Sequence, residues 1–439
     1  MPDLALIYLN DGPASYAQIS IGIGSISAYL RSKGHQVFVF DTYYDSDASI
    51  IEKICCLQPK MIGISTTEIH SYHAFTLSET LKDSINVPII FGGIFPSLFP
   101  RYCLNRIGVD LVCVGDGEFL LNQLLNETPY DQIHGLWTKE DNLGVDRQIA
   151  QVDCLDNLPW LDYTVFRYNS IISVNDFGDG YKRRLFISSS RGCNYSCSFC
   201  CNREIRKKLK QKMRYRRIND VIDEMLFLKH KFSFDEFFFT DENFIFNEHR
   251  AREFCAQYIE RRVNKHFGFL ARPDTVCGLS DALINDLKLA GCSRIHMGVE
   301  TGDEEIRKNL LNKHVSDKEI LNAFERCRKV DIKTASFNII GFPTETIEDI
   351  QRTYDFNIEI KADYAFFSLL YPLKGTKLYR KYRREDYIDT SQIVDNYFHG
   401  SIIRHPTINR ETLPKIRSHL QSNFPQSINL MDAVKYGEL

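Results

Sequence analysis

The stretch Leu185-Phe186-Ile187-Ser188-Ser189-Ser190-Arg191-Gly192-Cys193-Asn194-Tyr195-Ser196-Cys197-Ser198-Phe199-Cys200-Cys201 decides how the second half of the chain is read. It opens as an apolar run suited to a strand buried on both faces, then turns polar and crowds its cysteines together. Working outward, an apolar run followed by a loop and an amphipathic helix recurs. Strands are predicted at Leu185–Ser189, Glu236–Thr240, His266–Leu270, Arg294–Gly298, Ala335–Ile340 and Ala365–Leu370. Helices are predicted at about 220–230, 247–262, 280–290, 317–330 and 346–358. Six such repeats build a curled parallel sheet that falls short of the eight of a closed barrel. In sheets of this kind the functional loops follow the strand C-termini. There stand the cysteines, then Thr240-Asp241-Glu242-Asn243, Arg272, Glu300-Thr301-Gly302 and Gly341-Phe342-Pro343, in strand order.

Upstream, strand and helix alternate again. Leu4–Leu9, Gln36–Phe40, Met61–Ser65, Pro88–Phe91 and Leu111–Val114 read as strands. A helical face of Ile23, Ile26 and Leu30 closes at Gly34, and further helices are predicted at about 73–82 and 119–125. Alternation of this length predicts a doubly wound parallel sheet, with ligands at the loops beyond its strands. Those loops carry Asn10–Ser20, Thr66-Thr67-Glu68, Gly92-Gly93 and Gly115–Glu118. Paired glycines there let a backbone approach a flat ligand closely. Residues 136–181 lose periodicity and read as a linker. The expected organisation is therefore a Rossmann-like domain over 1–135, a linker over 136–181, a partial (β/α)6 barrel over 182–380 and a C-terminal helical cap over 381–439.

Composition narrows the function. Across 439 residues, 44% are hydrophobic and 25% charged, with a net charge of −3, so bulk charge favours neither nucleic acid nor an anionic membrane. Met1 to Asp11 has no basic n-region, and no apolar stretch is long enough to span a bilayer, which reads as cytoplasmic. Arg203–Arg217 holds nine basic residues in fifteen, read as a solvated face because only Tyr215 interrupts it.

Thirteen cysteines in such a chain point to metal or catalysis where they cluster. Cys103, Cys113, Cys154, Cys255, Cys277, Cys292 and Cys327 stand singly and read as small buried hydrophobes. Cys193, Cys197 and Cys200 are spaced C-x3-C-x2-C, which suits three irons of a cubane and leaves the fourth without a protein ligand. Structural zinc would want a fourth ligand at similar spacing. Cys201 is a poor fourth because neighbouring side chains diverge.

The segment Ser190-Arg191-Gly192-Cys193-x3-Cys197-x-Phe199-Cys200 resembles the signature of the radical S-adenosylmethionine superfamily, and the resemblance runs on to Tyr379. It implies a [4Fe–4S] cluster on Cys193, Cys197 and Cys200. It also implies an S-adenosylmethionine site drawn from Phe199, Asp241, Glu242, Arg272, Glu300, Thr301, Ile339 and Gly341. Asp241 or Glu242 would receive the methionyl ammonium, Glu300-Thr301 would lie near its carboxylate and ribose, and Ile339 with Gly341 would pack on adenine. An electron donor such as flavodoxin or ferredoxin is implied, with no nucleic-acid partner.

The first half resembles the cobalamin-binding domain that precedes this core in one subgroup, through Tyr29-Leu30-x3-Gly34-His35-x-Val37, Gly92-Gly93-x-x-Pro96 and Gly115-Asp116-Gly117-Glu118. Thr66, Thr67, Gly92, Gly93, Gly115 and Glu118 are the implied cobalamin-binding positions. No D-x-H-x-x-G precedes Cys193, so no histidine-ligated lower face is expected. The chain departs from the pattern at Ile94-Phe95, which sets a bulky ring beside the glycine pair, and at Ile21-Gly22-Ile23-Gly24. The resemblance implies reductive cleavage of S-adenosylmethionine and cobalamin-dependent methyl transfer to a small molecule or lipid. The alternative is radical rearrangement, cyclisation or carbon–carbon bond formation with an empty cobalamin domain. A tRNA methylthiotransferase is disfavoured, since Cys55-Cys56, Cys103 and Cys113 form no second cluster triad.

Overall fold

The computed structural model describes residues 2–10, 19–141, 149–167, 172–173, 183–394 and 396–435. The chain divides into two compact units, one of Met1–Asn175 with Glu204–Arg216 and one of Asp176–Arg203 with Arg217–Leu439.

In the first unit β1 (Leu4–Tyr8), β2 (Val37–Asp41), β3 (Met61–Ser65), β4 (Ile89–Gly92) and β5 (Leu111–Cys113) run parallel in the order 2-1-3-4-5. Ile7, Ile62 and Phe91 are fully buried, as strands covered on both faces require. The helix Ile21–Ser32 starts where the Ser20 hydroxyl accepts the Ile23 N–H, and its C-terminus is followed by Gly34 at φ +90°. A helix at Asp47–Leu57 escaped the sequence reading because only Ile50 and Ile54 are buried along it. The stretch read as a linker begins instead with β6 (Leu136–Thr138), antiparallel to β5, and continues to Ala150, which bridges Gly115.

In the second unit six strands pair in parallel, in chain order: Arg184–Ile187, Glu236–Phe239, His266–Ala271, Cys292–Glu300, Lys333–Ile340 and Tyr364–Leu369. At the start of these strands Glu236 accepts hydrogen bonds from Arg184 Nε at 2.8 Å and Arg294 Nε at 2.9 Å, all three side chains being buried. His296 lies among Phe238, Phe337 and Phe366, and burial holds it neutral. The residues expected as a helical cap cover the edge of the last strand. From the helix Thr412–Asn423, Gln421 accepts the Phe367 N–H at 3.2 Å and donates to Ala365 O at 2.9 Å, while Leu413, Ile416 and Leu420 fill the core beneath. Among the described residues no helix is long and apolar enough to cross a membrane.

Candidate active site

The cysteine loop leaves the first strand of the second unit and is pinned on both sides. Asp241, at the end of the second strand, accepts the Ser189 N–H at 2.9 Å and the Ser189 hydroxyl at 2.7 Å, and also the Ser190 hydroxyl. Further along, the Ser198 N–H donates to Leu311 O at 2.8 Å, and Asn312 Nδ2 donates to Ser196 O at 2.8 Å. Gly192 turns the loop at φ +99°, a left-handed conformation that favours glycine. Cys193, Cys197 and Cys200 are all half-buried. Burial pushes the Cys193 thiol up to about 11, so binding iron there must expel a proton. Cys200 and Cys201 lie within hydrogen-bonding reach of each other, so these neighbouring thiols do not diverge as expected from their adjacency.

The two carboxylates of the acidic loop separate by environment. Asp241 is buried and fully engaged with the serines. Glu242 is open to solvent yet flanked closely by protein. That crowding raises its carboxyl, opposed by a hydrogen bond with Asn202. Its charge is felt by both Cys193 and Cys200.

Arg272 stands where the third strand ends. Its Nε donates to Asp274 Oδ1 at 2.9 Å and its Nη2 to Asp274 Oδ2 at 3.0 Å, while Nη1 donates to Cys197 Sγ at 3.5 Å. The guanidinium lies 3.8 Å from the ring centre of Tyr195. On the fourth strand Glu300 sits at a bulge with φ +70° and pairs with Lys313 at 2.6 Å. A Cβ on Gly298 would overlap both charged groups, which accounts for glycine there. Thr301 is buried against Thr353, their hydroxyls 3.2 Å apart.

After the fifth strand Gly341 takes φ +88°, and Glu345 Oε2 accepts the N–H groups of Gly341 at 2.7 Å and Phe342 at 2.9 Å. Burial holds the Glu345 carboxyl up at about 8. Ile339 and Phe199 are partly exposed beside one apolar cluster that includes Phe342 and Leu311. The structure thus gathers Phe199, Ile339 and the Gly341 turn around one wall.

In the first unit Thr66, Thr67, Gly92 and Gly93 share the C-terminal edge of β3 and β4. The Thr66 N–H donates to Gly92 O at 3.0 Å. Gly93 has φ +100°, and a Cβ there would come within 2.7 Å of Thr66 O, so the two turns are in close backbone contact. Phe95 does not stand in this edge. It is buried in the core against Phe99 and Tyr102, and Ile94 is the exposed neighbour of the glycines. Gly115 and Glu118 meet protein rather than an open edge. Gly115 abuts Ala150, and the buried Glu118 accepts from the Ser25 hydroxyl at 2.6 Å. The altered glycines have a local cause too, since a Cβ on Gly24 would press on Leu161 at 3.2 Å and Phe166 at 3.3 Å.

Comparison with known families resolves what this arrangement is. The radical SAM superfamily model matches residues 187–356, a span that holds the cysteine loop and the ends of five strands. The chain carries a radical SAM domain. A B12 binding domain model matches residues 13–125, the core of the first unit. Cytidylyl-2-hydroxyethylphosphonate methyltransferase of Streptomyces wedmorensis is 25% identical over 433 residues, covering 85% of this chain and 79% of its own. Anaerobic magnesium-protoporphyrin IX monomethyl ester cyclase of Rubrivivax gelatinosus is 22% identical over 382 residues, covering 82% and 65%. The radical S-adenosylmethionine methyltransferase TsrM of Kitasatospora setae, solved with cobalamin and a [4Fe–4S] cluster, shares the fold with a TM-score of 0.67 at 18% identity, covering 88% of this chain and 75% of TsrM. The cobalamin-dependent radical enzyme OxsB shares it with a TM-score of 0.72 at 18% identity, covering 97% and 67%.

The donor set, three half-buried thiols on one loop, is of the kind that holds three separate irons of a cubane. Sequence reasoning missed Lys313 and Asn202, which touch this site from outside the recognised segments, and the role of Tyr195 within the cysteine segment itself. Lys313 is buried with Glu300, and a lysine almost never buries without a partner; its partner, however, is not legible from spacing.

Proposed function

We propose that Cys193, Cys197 and Cys200 hold the [4Fe–4S] cluster, and that the enzyme methylates an unactivated position of a small molecule or lipid in a cobalamin-dependent reaction. One observation supports the reading above the others. Glu242 follows directly on Asp241, which is bonded to the cysteine loop at Ser189 and Ser190, while Phe199 and Ile339 flank the same apolar wall. The cluster supplies an electron to S-adenosylmethionine, and cobalamin, when bound, supplies a methyl carrier.

The chain's own residues then divide the work. Glu242 pairs with the methionyl ammonium through a charge-assisted hydrogen bond, stronger than a neutral one. Asp241 holds the cysteine loop in shape. Ile339, Phe199 and the Gly341 turn give adenine an apolar seat. Glu300 with Lys313, and Thr301, line the neighbouring strand end. Thr66, Thr67, Gly92 and Gly93 form the edge that would hold a corrin, with Gly115 and Glu118 stiffening the wall behind. A reduced flavodoxin or ferredoxin delivers the electron.

Product analysis tests the reading. Anaerobic incubation of the reconstituted protein with S-adenosylmethionine and a reductant is expected to yield both 5′-deoxyadenosine and S-adenosylhomocysteine. Deoxyadenosine alone would favour the cyclase-type chemistry that the similarity to the Rubrivivax enzyme keeps in view. Neither product from iron-loaded protein would overturn the proposal.

A further inference from the structure

We propose that Arg272 acts on the cluster through Cys197, as a hydrogen-bond donor that sets the reduction potential, and not as a ligand of S-adenosylmethionine. The inference rests on the proposal that Cys197 is a cluster ligand.

The guanidinium is fixed on three sides. Its Nε and Nη2 edge forms a fork with Asp274 at 2.9 and 3.0 Å, and one of its faces lies over Tyr195 at 3.8 Å. Tyr195 is held in turn, its hydroxyl 3.1 Å from Thr275 Oγ1 and its ring edge-on to Phe246 at 5.8 Å. Only 10% of the Arg272 side chain is exposed. This clamp leaves Nη1 aimed at Cys197 Sγ, 3.5 Å away. Two donors on a carboxylate and one on sulfur describe a side chain oriented by the protein toward the cysteine. A planar, permanently charged fork suits that task better than a lysine ammonium.

Two cations stand near Cys197: Arg272, whose Nη1 donates to the sulfur at 3.5 Å, and Lys313, whose charge is offset by Glu300 at 2.6 Å. Arg272 is the one that donates directly to its sulfur. Hydrogen bonds to cluster sulfurs and local charge are among the levers that set iron–sulfur potentials. A cationic N–H on a thiolate ligand favours the reduced, more negative cluster and makes the electron easier to accept.

The test is an EPR-monitored redox titration of the cluster, without S-adenosylmethionine, in the full-length reconstituted wild type, Arg272→Gln and Tyr195→Leu. Binding of S-adenosylmethionine to each oxidised protein is measured alongside by equilibrium dialysis. Both variants are expected to have a more negative midpoint than wild type, Arg272→Gln by more, with affinity for S-adenosylmethionine retained. The titration reads only the loaded fraction, so incomplete iron incorporation does not blunt it. Tyr195→Leu keeps the Arg272 charge and removes the stacking plane together with the hydroxyl held by Thr275, which separates orientation from bulk electrostatics. An unmoved midpoint in Arg272→Gln, or a loss of affinity of about tenfold or more, ~1.4 kcal/mol, overturns the inference. Failure of the wild type to take up iron would count against the proposed function instead.

Discussion

Asp241 and Ser189 are joined twice, by the Ser189 N–H at 2.9 Å and by its hydroxyl at 2.7 Å, so the end of one strand shapes the loop that leaves its neighbour. The adjacent Glu242 has no such duty. Asp241→Ala leaves a buried N–H and two serine hydroxyls without their acceptor, a cost of roughly 1–3 kcal/mol for each such group. Its reconstituted iron content should fall. Glu242→Gln should load iron fully and bind S-adenosylmethionine more weakly, by roughly 2 kcal/mol or more if the ammonium stays buried. Iron analysis with calorimetry on both variants checks this division, and the reverse pattern contradicts it.

Glu345 makes stability depend on pH. Burial raises its carboxyl from an ordinary 4.5 to about 8, so the folded chain keeps a proton that the unfolded chain releases. Its contribution is therefore fully present below about 4.5 and is lost as pH rises through 8, by about 1.4 kcal/mol per pH unit in between. Gln at this position can still accept from Gly341 and Phe342 and cannot ionise. Denaturant melts between pH 5 and 9 should show a shallower decline for Glu345→Gln than for wild type. Parallel curves would mean that Glu345 is not the group responsible.

The edge of the first unit separates ligand effects from folding effects. Gly93→Ala forces a side chain toward Thr66 O at 2.7 Å on a residue at φ +100°, so it should distort the turn and reduce retention of hydroxocobalamin. Ile94→Ala should leave stability unchanged, since that side chain is 41% exposed. Phe95→Ala should cost roughly 3–5 kcal/mol of stability, as for other buried phenylalanines. Corrinoid retention and urea melts on the three variants check these outcomes.

The buried cluster at the strand starts should be intolerant of a single removal. Glu236→Leu leaves Arg184 and Arg294, exposed by 0% and 1%, without their shared carboxylate. A loss of roughly 3–5 kcal/mol is expected in equilibrium unfolding. A change below ~1 kcal/mol would show that these charges are solvated in the folded state.

The repeating units were legible because strands such as Met61–Ser65 and Glu236–Phe239 are buried on both faces and carry the apolar runs Met61–Ile64 and Phe237–Phe239. The cysteine loop was legible because its spacing is itself chemistry. What stayed hidden depends on three-dimensional partners. Lys313 sits in an ordinary polar stretch, and its partner Glu300 reaches it only through the bulge between Gly298 and Glu300. Phe95 comes two residues after the glycine pair in sequence, but the helix Ile94–Leu98 turns its ring into the core. Asp241 and Glu242 look alike in sequence, and only Ser189 and Ser190, in the loop that leaves the neighbouring strand, distinguish them.

The proposed function requires a cluster on Cys193, Cys197 and Cys200 in a chain that also takes cobalamin. Iron, sulfide and corrinoid are to be quantified per chain after anaerobic reconstitution, with Cys197→Ala alongside. About four irons and four sulfides with one corrinoid are expected in wild type, and loss of the cluster with corrinoid retained in Cys197→Ala. A wild type that binds iron and excludes corrinoid, or a Cys197→Ala protein with full cluster absorbance, would contradict it.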